Sequence, residues 1–416
     1  MSKSSLALNN LRGFLILMVL AFHSFIAYLS SQPAVPFPFD TPPYSWIANP
    51  IIDGDRWIGF DLFCACQFLY LMQLMFFLSG LLVWPSLRRK GAKAFLSDRF
   101  LRLGVPFVLG AYLLMPVVYY PVYRVGAVDP SWSAFWSHWT ALPFWPNGPA
   151  WFLWFLLLLN VTAAALFALA PRAGEQLSRM SARAGVHPSR FFIALAGVSA
   201  LAYLPLSSIL TPWYWVEFGP FAFQPSFAPQ YVIYFAAGLA LGASGLDRDL
   251  LAPEGPLARG WARWLIGALA SFVLWIIPTA LIVKGPGATL PGLQIAADLG
   301  LVLFAASACF GLTGTFLRFA GAFWPTFDSL STNGYGIYLI HYLFVIWLQY
   351  LLLGVALVAI FKGAIVFAGT VVLSWAATAA VCRTSVGARL LRGQRRLALA
   401  AAPPPKARYP EVGFSE

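Results

Sequence analysis

Residues 11–30 read LRGFLILMVLAFHSFIAYLS. Twenty residues at about 1.5 Å each cover the roughly 30 Å of a bilayer's hydrocarbon core. The run contains no acidic side chain and predicts a membrane-crossing helix. Yet Arg12 and His23 are residues that hydrocarbon penalises by at least about 2–3 kcal/mol. Apolar runs of the same kind follow at 60–84, 103–123, 150–170, 191–210, 229–245, 262–283, 293–313, 335–353 and 363–382. The expected fold is all-α, a polytopic membrane protein of about ten transmembrane helices. Residues 1–382 are read as a single integral membrane domain. Residues 383–416 are read as a basic, then Pro-rich, cytoplasmic tail, mobile from Leu397 onward through Pro403-Pro404-Pro405.

Composition supports lipid as the solvent. Only 10% of the 416 residues are charged and 60% are hydrophobic, whereas a soluble domain carries about a quarter charged residues. The net charge of +12 would suit nucleic acid. The basic residues instead sit in short loops between apolar runs, where they act as topology signals beside an anionic leaflet, so no nucleic-acid partner is expected. With the N-terminus inside, the cytoplasmic face collects two Lys or Arg at the N-terminal end (Lys3, Arg12), six in 85–102 and four in 171–190. Three more lie in 246–263, one in 314–334 and seven after 382, giving 23 of the 27. Arg56, Arg124, Lys284 and Lys362 remain for the other face. Both termini are therefore expected in the cytoplasm. The first run is long enough to span and is read as a retained helix, not a cleaved signal peptide. Cys64, Cys66, Cys309 and Cys382 fall in apolar runs without metal-ligand spacing, so neither a disulfide framework nor a metal site is expected.

Arg12 and His23 are eleven residues apart, close to three helical turns, which puts both on one face about 16 Å apart along the axis. Arg12 falls at the cytoplasmic lip and His23 beyond the middle of the membrane. Alone, Arg12 could be a snorkelling anchor and His23 a helix–helix hydrogen bond. His341 is placed about two turns above the cytoplasmic end of the ninth span. Asp298 is placed below the outer end of the eighth, near the level of His23. Asp298 is one candidate to orient His23 as a general base and Asp61 another, against a bland reading of each as a loop-edge hydrogen bond. In the basic loop, Ser97 and Asp98 are expected to cap the third span. Arg99 and Arg102 share a face on which two guanidinium groups could grip phosphate, or could simply anchor topology.

These residues resemble the signature of the acyltransferase 3 family of integral membrane O-acyltransferases. The resemblance rests on Arg12-x10-His23, on Phe76-Phe77-Leu78-Ser79-Gly80, and on Arg99-x-x-Arg102-Leu103-x-x-Pro106. It extends to Gly148-Pro149-Ala150-Trp151-Phe152-Leu153 and to the run Ser331 to His341, in which Tyr335, Ile337, Tyr338, Leu339 and His341 match the family pattern. The fourth motif points to the branch that succinylates periplasmic glucans.

The resemblance implies a membrane acyltransferase that moves an acetyl or succinyl group from a cytoplasmic acyl-CoA to a hydroxyl of a glycan or other extracytoplasmic acceptor. It implies a bacterial inner membrane as the host. Acyl-CoA is then a co-substrate and no permanently bound cofactor is required. His23 and Arg12 are the expected catalytic residues, with His23 acting as general base or as acyl carrier. Arg99 and Arg102 are expected at the CoA phosphates, and Ser79, Trp151, Tyr338, His341 and Asp298 at donor or substrate orientation. The outer aromatic residues (Trp132, Trp136, Trp139, Trp145, Trp213, Tyr214, Trp215) suit either sugar stacking or an interfacial belt. The rival class is a proton-coupled transporter of a glycan or lipid-linked substrate that uses His23 and Asp298 as its relay. The sequence does not fix the oligomeric state.

Overall fold

In hydrocarbon every backbone amide must find an internal partner, and a chain without a closed barrel can do this only as helix. The computed structural model, which describes residues 2–284 and 290–391, resolves the ten apolar runs in that way. They are α1 (Lys3–Phe25), α2 (Ile58–Leu81), α3 (Ala92–Gly126), α4 (Trp151–Leu169), α5 (Pro188–Leu210), α6 (Ala228–Ala243), α7 (Trp261–Lys284), α8 (Pro291–Phe319), α9 (Pro325–Leu351) and α10 (Ala359–Val381). Among the described residues, nine helices have the length and hydropathy to cross a membrane. The chain is thus an all-α, polytopic integral membrane protein. Of the tail, Ser385–Leu391 is a short helix, and residues 392–416 lie outside the described residues.

The tenth run, α6, has 16 residues, about 24 Å of helix. It is nonetheless deeply embedded, because it crosses α2 at backbone distance. A Cβ placed on Gly238 would lie 2.0 Å from the carbonyl oxygen of Phe77, one on Gly242 2.1 Å from that of Leu81, and one on Gly80 2.2 Å from that of Phe235. Small residues spaced four apart allow this approach, which recovers dispersion energy where lipid offers no hydrophobic driving force. Gly80, read from the sequence as part of a motif, is thus explained by packing.

Several boundaries differ from expectation (α1, for one, begins at Lys3, ahead of the expected 11), and two of them bear on the site, both because polar residues were read as loop. Helix α3 begins at Ala92, ahead of the expected 103, and Gly91 at φ +76° precedes it. Ser97 and Asp98 are therefore inside a helix and cap nothing; Asp98 forms an ion pair with Lys90. Helix α9 begins at Pro325. Its polar first turns are paired, with Ser331 donating to Asn9 (2.6 Å) and Asn333 to the carbonyl of Ser329 (3.0 Å). His341 consequently lies more than four turns into α9, not two.

Helix α3 widens into two π-turns, over Phe100–Gly104 and Gly110–Leu114, where amide N–H groups bond five residues back. Prolines supply the reason. Pro106 has no N–H for the carbonyl of Arg102, and the hydroxyl of Tyr335 on α9 donates to that oxygen instead. Pro121 likewise leaves the carbonyl of Val117, which receives the indole N–H of Trp347 at 3.0 Å. The carbonyls that Pro106 and Pro121 leave open thus tie α3 to α9.

Opposite the basic loops, a second apolar core caps the bundle. It joins Tyr28, Trp46, Phe60, Tyr119, Trp139 and Tyr342. The loop between α1 and α2 is held there by the wholly buried Lys362 of α10, which bonds Asp53 (2.8 and 2.9 Å) and Asp55 (2.8 Å). The one β element among the described residues is a hairpin between α5 and α6, β1 (Val216–Phe218) against β2 (Phe221–Phe223). Trp145 N–H donates to Gly219 O (2.8 Å) and Asn147 Nδ2 to Pro220 O (2.6 Å), which pins the hairpin to the start of α4.

Candidate active site

Helix α1 runs unbroken from Arg12 to His23, so both lie on one continuous helix as the spacing requires. His23 falls in its last turn, where the negative end of the helix dipole favours a positive imidazolium. Gln349 of α9 caps this end, donating to the carbonyls of His23 (2.9 Å) and Ser24 (3.2 Å).

The partner of His23 is His341, whose Nε2 stands 3.3 Å from His23 Nδ1. Backbone carbonyls assign the protons. His341 Nδ1 lies 2.6 Å from the carbonyl oxygen of Tyr338 and His23 Nδ1 lies 3.0 Å from that of Val19. A carbonyl only accepts, so in the neutral pair both Nδ1 atoms carry hydrogen. His341 Nε2 then presents a lone pair to His23 Nδ1–H, and His23 Nε2 is left as the free base. His341 is completely buried whereas His23 is partly exposed, so of the two rings only His23 has an accessible edge. Tyr342 stands edge-on to His23, ring centroids 5.1 Å apart, and its hydroxyl bonds that of Tyr119.

The expected carboxylate partners are elsewhere. Asp298 accepts from Ser207 of α5 (2.6 Å) and from Gln294 one turn away (3.0 Å), and neither histidine is among its partners. Asp61 accepts from the amides of Ser30 and Ser31 (2.7 and 2.9 Å), closing the loop after α1. The nearest polar side chain to His23 is instead the imidazole of His341.

Three turns before His23, near the middle of α1, Arg12 donates from Nη2 to the carbonyl of Leu78 (3.3 Å). Arg99 feels the positive charges of both Arg12 and Arg102, so the three guanidinium groups form one cluster, with Tyr335 beside it. None of the ion pairs among the described residues involves any of the three. All three are half-buried, with the Asp98 carboxylate within electrostatic reach of Arg99, and guanidinium groups so gathered have the chemistry to hold an anion. Ser79 follows Leu78 and returns its hydroxyl to the carbonyl of Met75 (2.8 Å), so its side chain is occupied within α2. Trp151 opens α4 in an aromatic cluster with Phe76, Trp215 and Tyr231. Tyr338 donates to the carbonyl of Pro149. Tyr335, Tyr338 and Tyr342, spaced three and four apart, form one stripe of α9 from the arginines to the histidines.

Several residues at this end carried no sequence signal. Gln349 and Tyr342 look like ordinary members of an apolar run. Lys362, read from the sequence as an outer-face charge just ahead of the run 363–382, lies inside α10 and meets Asp53 and Asp55. Glu217 lies on the β1 strand within electrostatic reach of Tyr119, and burial pushes its carboxyl up to about 7. No group of three or more His, Cys, Asp or Glu suited to a metal exists among the described residues.

No curated protein matches the chain, and no solved structure does. The model of a family described as an acyltransferase domain does match, over residues 5–379, a range that takes in the arginine cluster and the paired histidines. The chain is a membrane acyltransferase and belongs to the acyltransferase 3 family.

Proposed function

We propose that the protein transfers an acetyl or succinyl group from a cytoplasmic acyl-CoA to a hydroxyl of a glycan on the far side of a bacterial inner membrane, in the manner of the glucan-succinylating branch. Residues 1–382 are the transferase domain, with both termini cytoplasmic. The observation that carries the reading is the His23–His341 pair, whose proton assignment leaves His23 Nε2 as a base near one end of α1 while Arg12, three turns away, gathers with Arg99 and Arg102 of α3. About 16 Å of helix separates the two, a distance suited to a phosphate-bearing donor with a long thioester arm. Arg12, Arg99 and Arg102 hold the phosphates, and the arm follows the tyrosine stripe of α9.

In the reaction, His23 Nε2 takes the proton of the acceptor hydroxyl as its oxygen attacks the thioester carbonyl. The carbon–sulfur bond breaks, the imidazolium returns the proton to the departing thiolate, and an ester and free CoA result. His341 Nε2 accepts the Nδ1–H hydrogen bond of the transient imidazolium, and the helix terminus adds its negative potential. The role of His341 is thus to position and support the base, in place of the donor contact expected from the motif.

The test is turnover by purified protein in nanodiscs, with thioester consumption and ester formation followed together. His23→Ala at matched expression is expected to abolish both. Full transfer by that variant would overturn the mechanism. Transport of the glycan without thioester consumption would return the transporter reading.

A further inference from the structure

The reading above leaves the acceptor side without a recognition residue. One carboxylate there has no assigned task. Glu217 is part-buried on β1, and no side-chain hydrogen bond or ion pair among the described residues engages its carboxyl. It is not a free loop residue. The hairpin that carries it is fixed at Gly219 by Trp145, at Pro220 by Asn147 and at Ala222 by the Trp154 indole (3.2 Å), with Phe221 stacked on Phe107. Its electrostatic neighbour is Tyr119, bonded to Tyr342, which in turn touches His23. The same short segment that holds the hairpin, Asn147-Gly148-Pro149, lies against Tyr342 and accepts the hydroxyl of Tyr338. Gly148, at φ +48°, packs closely here, with Met115 Sδ 3.0 Å and Tyr342 Cε1 3.1 Å from where a Cβ would stand.

A rigidly held carboxylate lacking a partner, one tyrosine pair from the base, is a hydrogen-bond acceptor awaiting a donor. Sugar hydroxyls are such donors, and indole faces are their usual companions. Trp215, two residues before Glu217, packs on Trp151 at 5.9 Å and supplies an indole beside it. We infer that Glu217 is an acceptor-binding residue that takes hydrogen bonds from hydroxyls of an uncharged polyhydroxyl acceptor and so presents a neighbouring hydroxyl to His23. The inference rests on the acyltransfer reading for the role of His23. It adds a specificity: acidic glycans, whose carboxylates would face Glu217, are rejected.

The experiment uses the full chain in nanodiscs with succinyl-CoA and a linear neutral glucan pentasaccharide as probe. Glu217→Gln and Glu217→Ala are expected to raise the acceptor KM by about tenfold or more. The donor KM and the slow acceptor-independent hydrolysis of the thioester should not move, and Glu217→Asp should recover part of the loss. An unchanged acceptor KM in Glu217→Gln overturns the proposal. A second readout does not need turnover: carbodiimide modifies protonated buried carboxyls, and labelling of Glu217, read by peptide mass spectrometry, should be shielded by the neutral pentasaccharide and not by its uronic-acid counterpart. Absence of shielding, or equal shielding by both, also overturns it. The two readings separate in His23→Ala. Transfer retained there sinks the base assignment, whereas shielding lost there and in the wild type sinks only Glu217.

Discussion

Replacing His341 by phenylalanine removes one acceptor from the base and little volume. In the resting enzyme His23 Nδ1–H still has the Val19 carbonyl at 3.0 Å, so its tautomer, and the lone pair on Nε2, survive the change. What disappears is the imidazole nitrogen 3.3 Å away that accepts from the imidazolium formed during proton transfer. A hydrogen bond to a charged group contributes about 1.5–3 kcal/mol. If the loss falls on the transition state, kcat drops about 10- to 150-fold. His23→Ala, which removes general-base catalysis altogether, should cost more, about 10²–10⁴-fold. The assay is steady-state ester formation in nanodiscs with both KM values determined, alongside thermal unfolding to separate misfolding from chemistry. An unchanged kcat in His341→Phe would refute the supporting role of His341. A loss confined to the donor KM would return His341 to a donor-orienting role.

Other perturbations reach different parts of the molecule. Arg99→Ala and Arg102→Ala should each raise the donor KM about tenfold or more, since each guanidinium–phosphate contact is a charge-assisted bond; a change confined to acceptor affinity would contradict the anion site. Tyr335→Phe strips the hydroxyl from the Arg102 carbonyl that Pro106 leaves open, and should lower stability by about 1–3 kcal/mol in reversible unfolding. Lys362→Met leaves Asp53, 3% exposed, without its counter-charge, and about 3 kcal/mol or more of destabilisation is expected, whereas an unaltered midpoint would mean the outer loop is held by other contacts. Burial raises the Glu217 carboxyl from 4.5 to about 7. The folded chain therefore keeps that proton to higher pH than the unfolded chain, and stability should decline as pH rises through this window. Glu217→Gln should abolish this decline, and acceptor KM in the wild type should fall as pH rises through about 7 and the carboxylate forms.

The amino-acid sequence by itself determined the solvent and therefore the class of fold. With 10% charged residues in 416, ten apolar runs had no stable form except buried or lipid-facing helix. It also determined that Arg12 and His23 share a helix, because a local periodicity of 3.6 residues needs no knowledge of neighbours. Helix ends were less legible where polar residues sat inside the protein: Ser331 and Asn333 read as loop until Asn9 and Ser329 were seen to satisfy them. Only the tertiary structure decided which groups meet. His341 is 318 residues from His23 in sequence, and nothing in either segment announces the other; Asp298, equally plausible on depth, turned to Ser207. A contact between distant segments depends on how helices rotate and cross, which is set by backbone approaches such as Gly238 over Phe77 and by carbonyls that prolines leave open. Spacing within one segment carries no record of either.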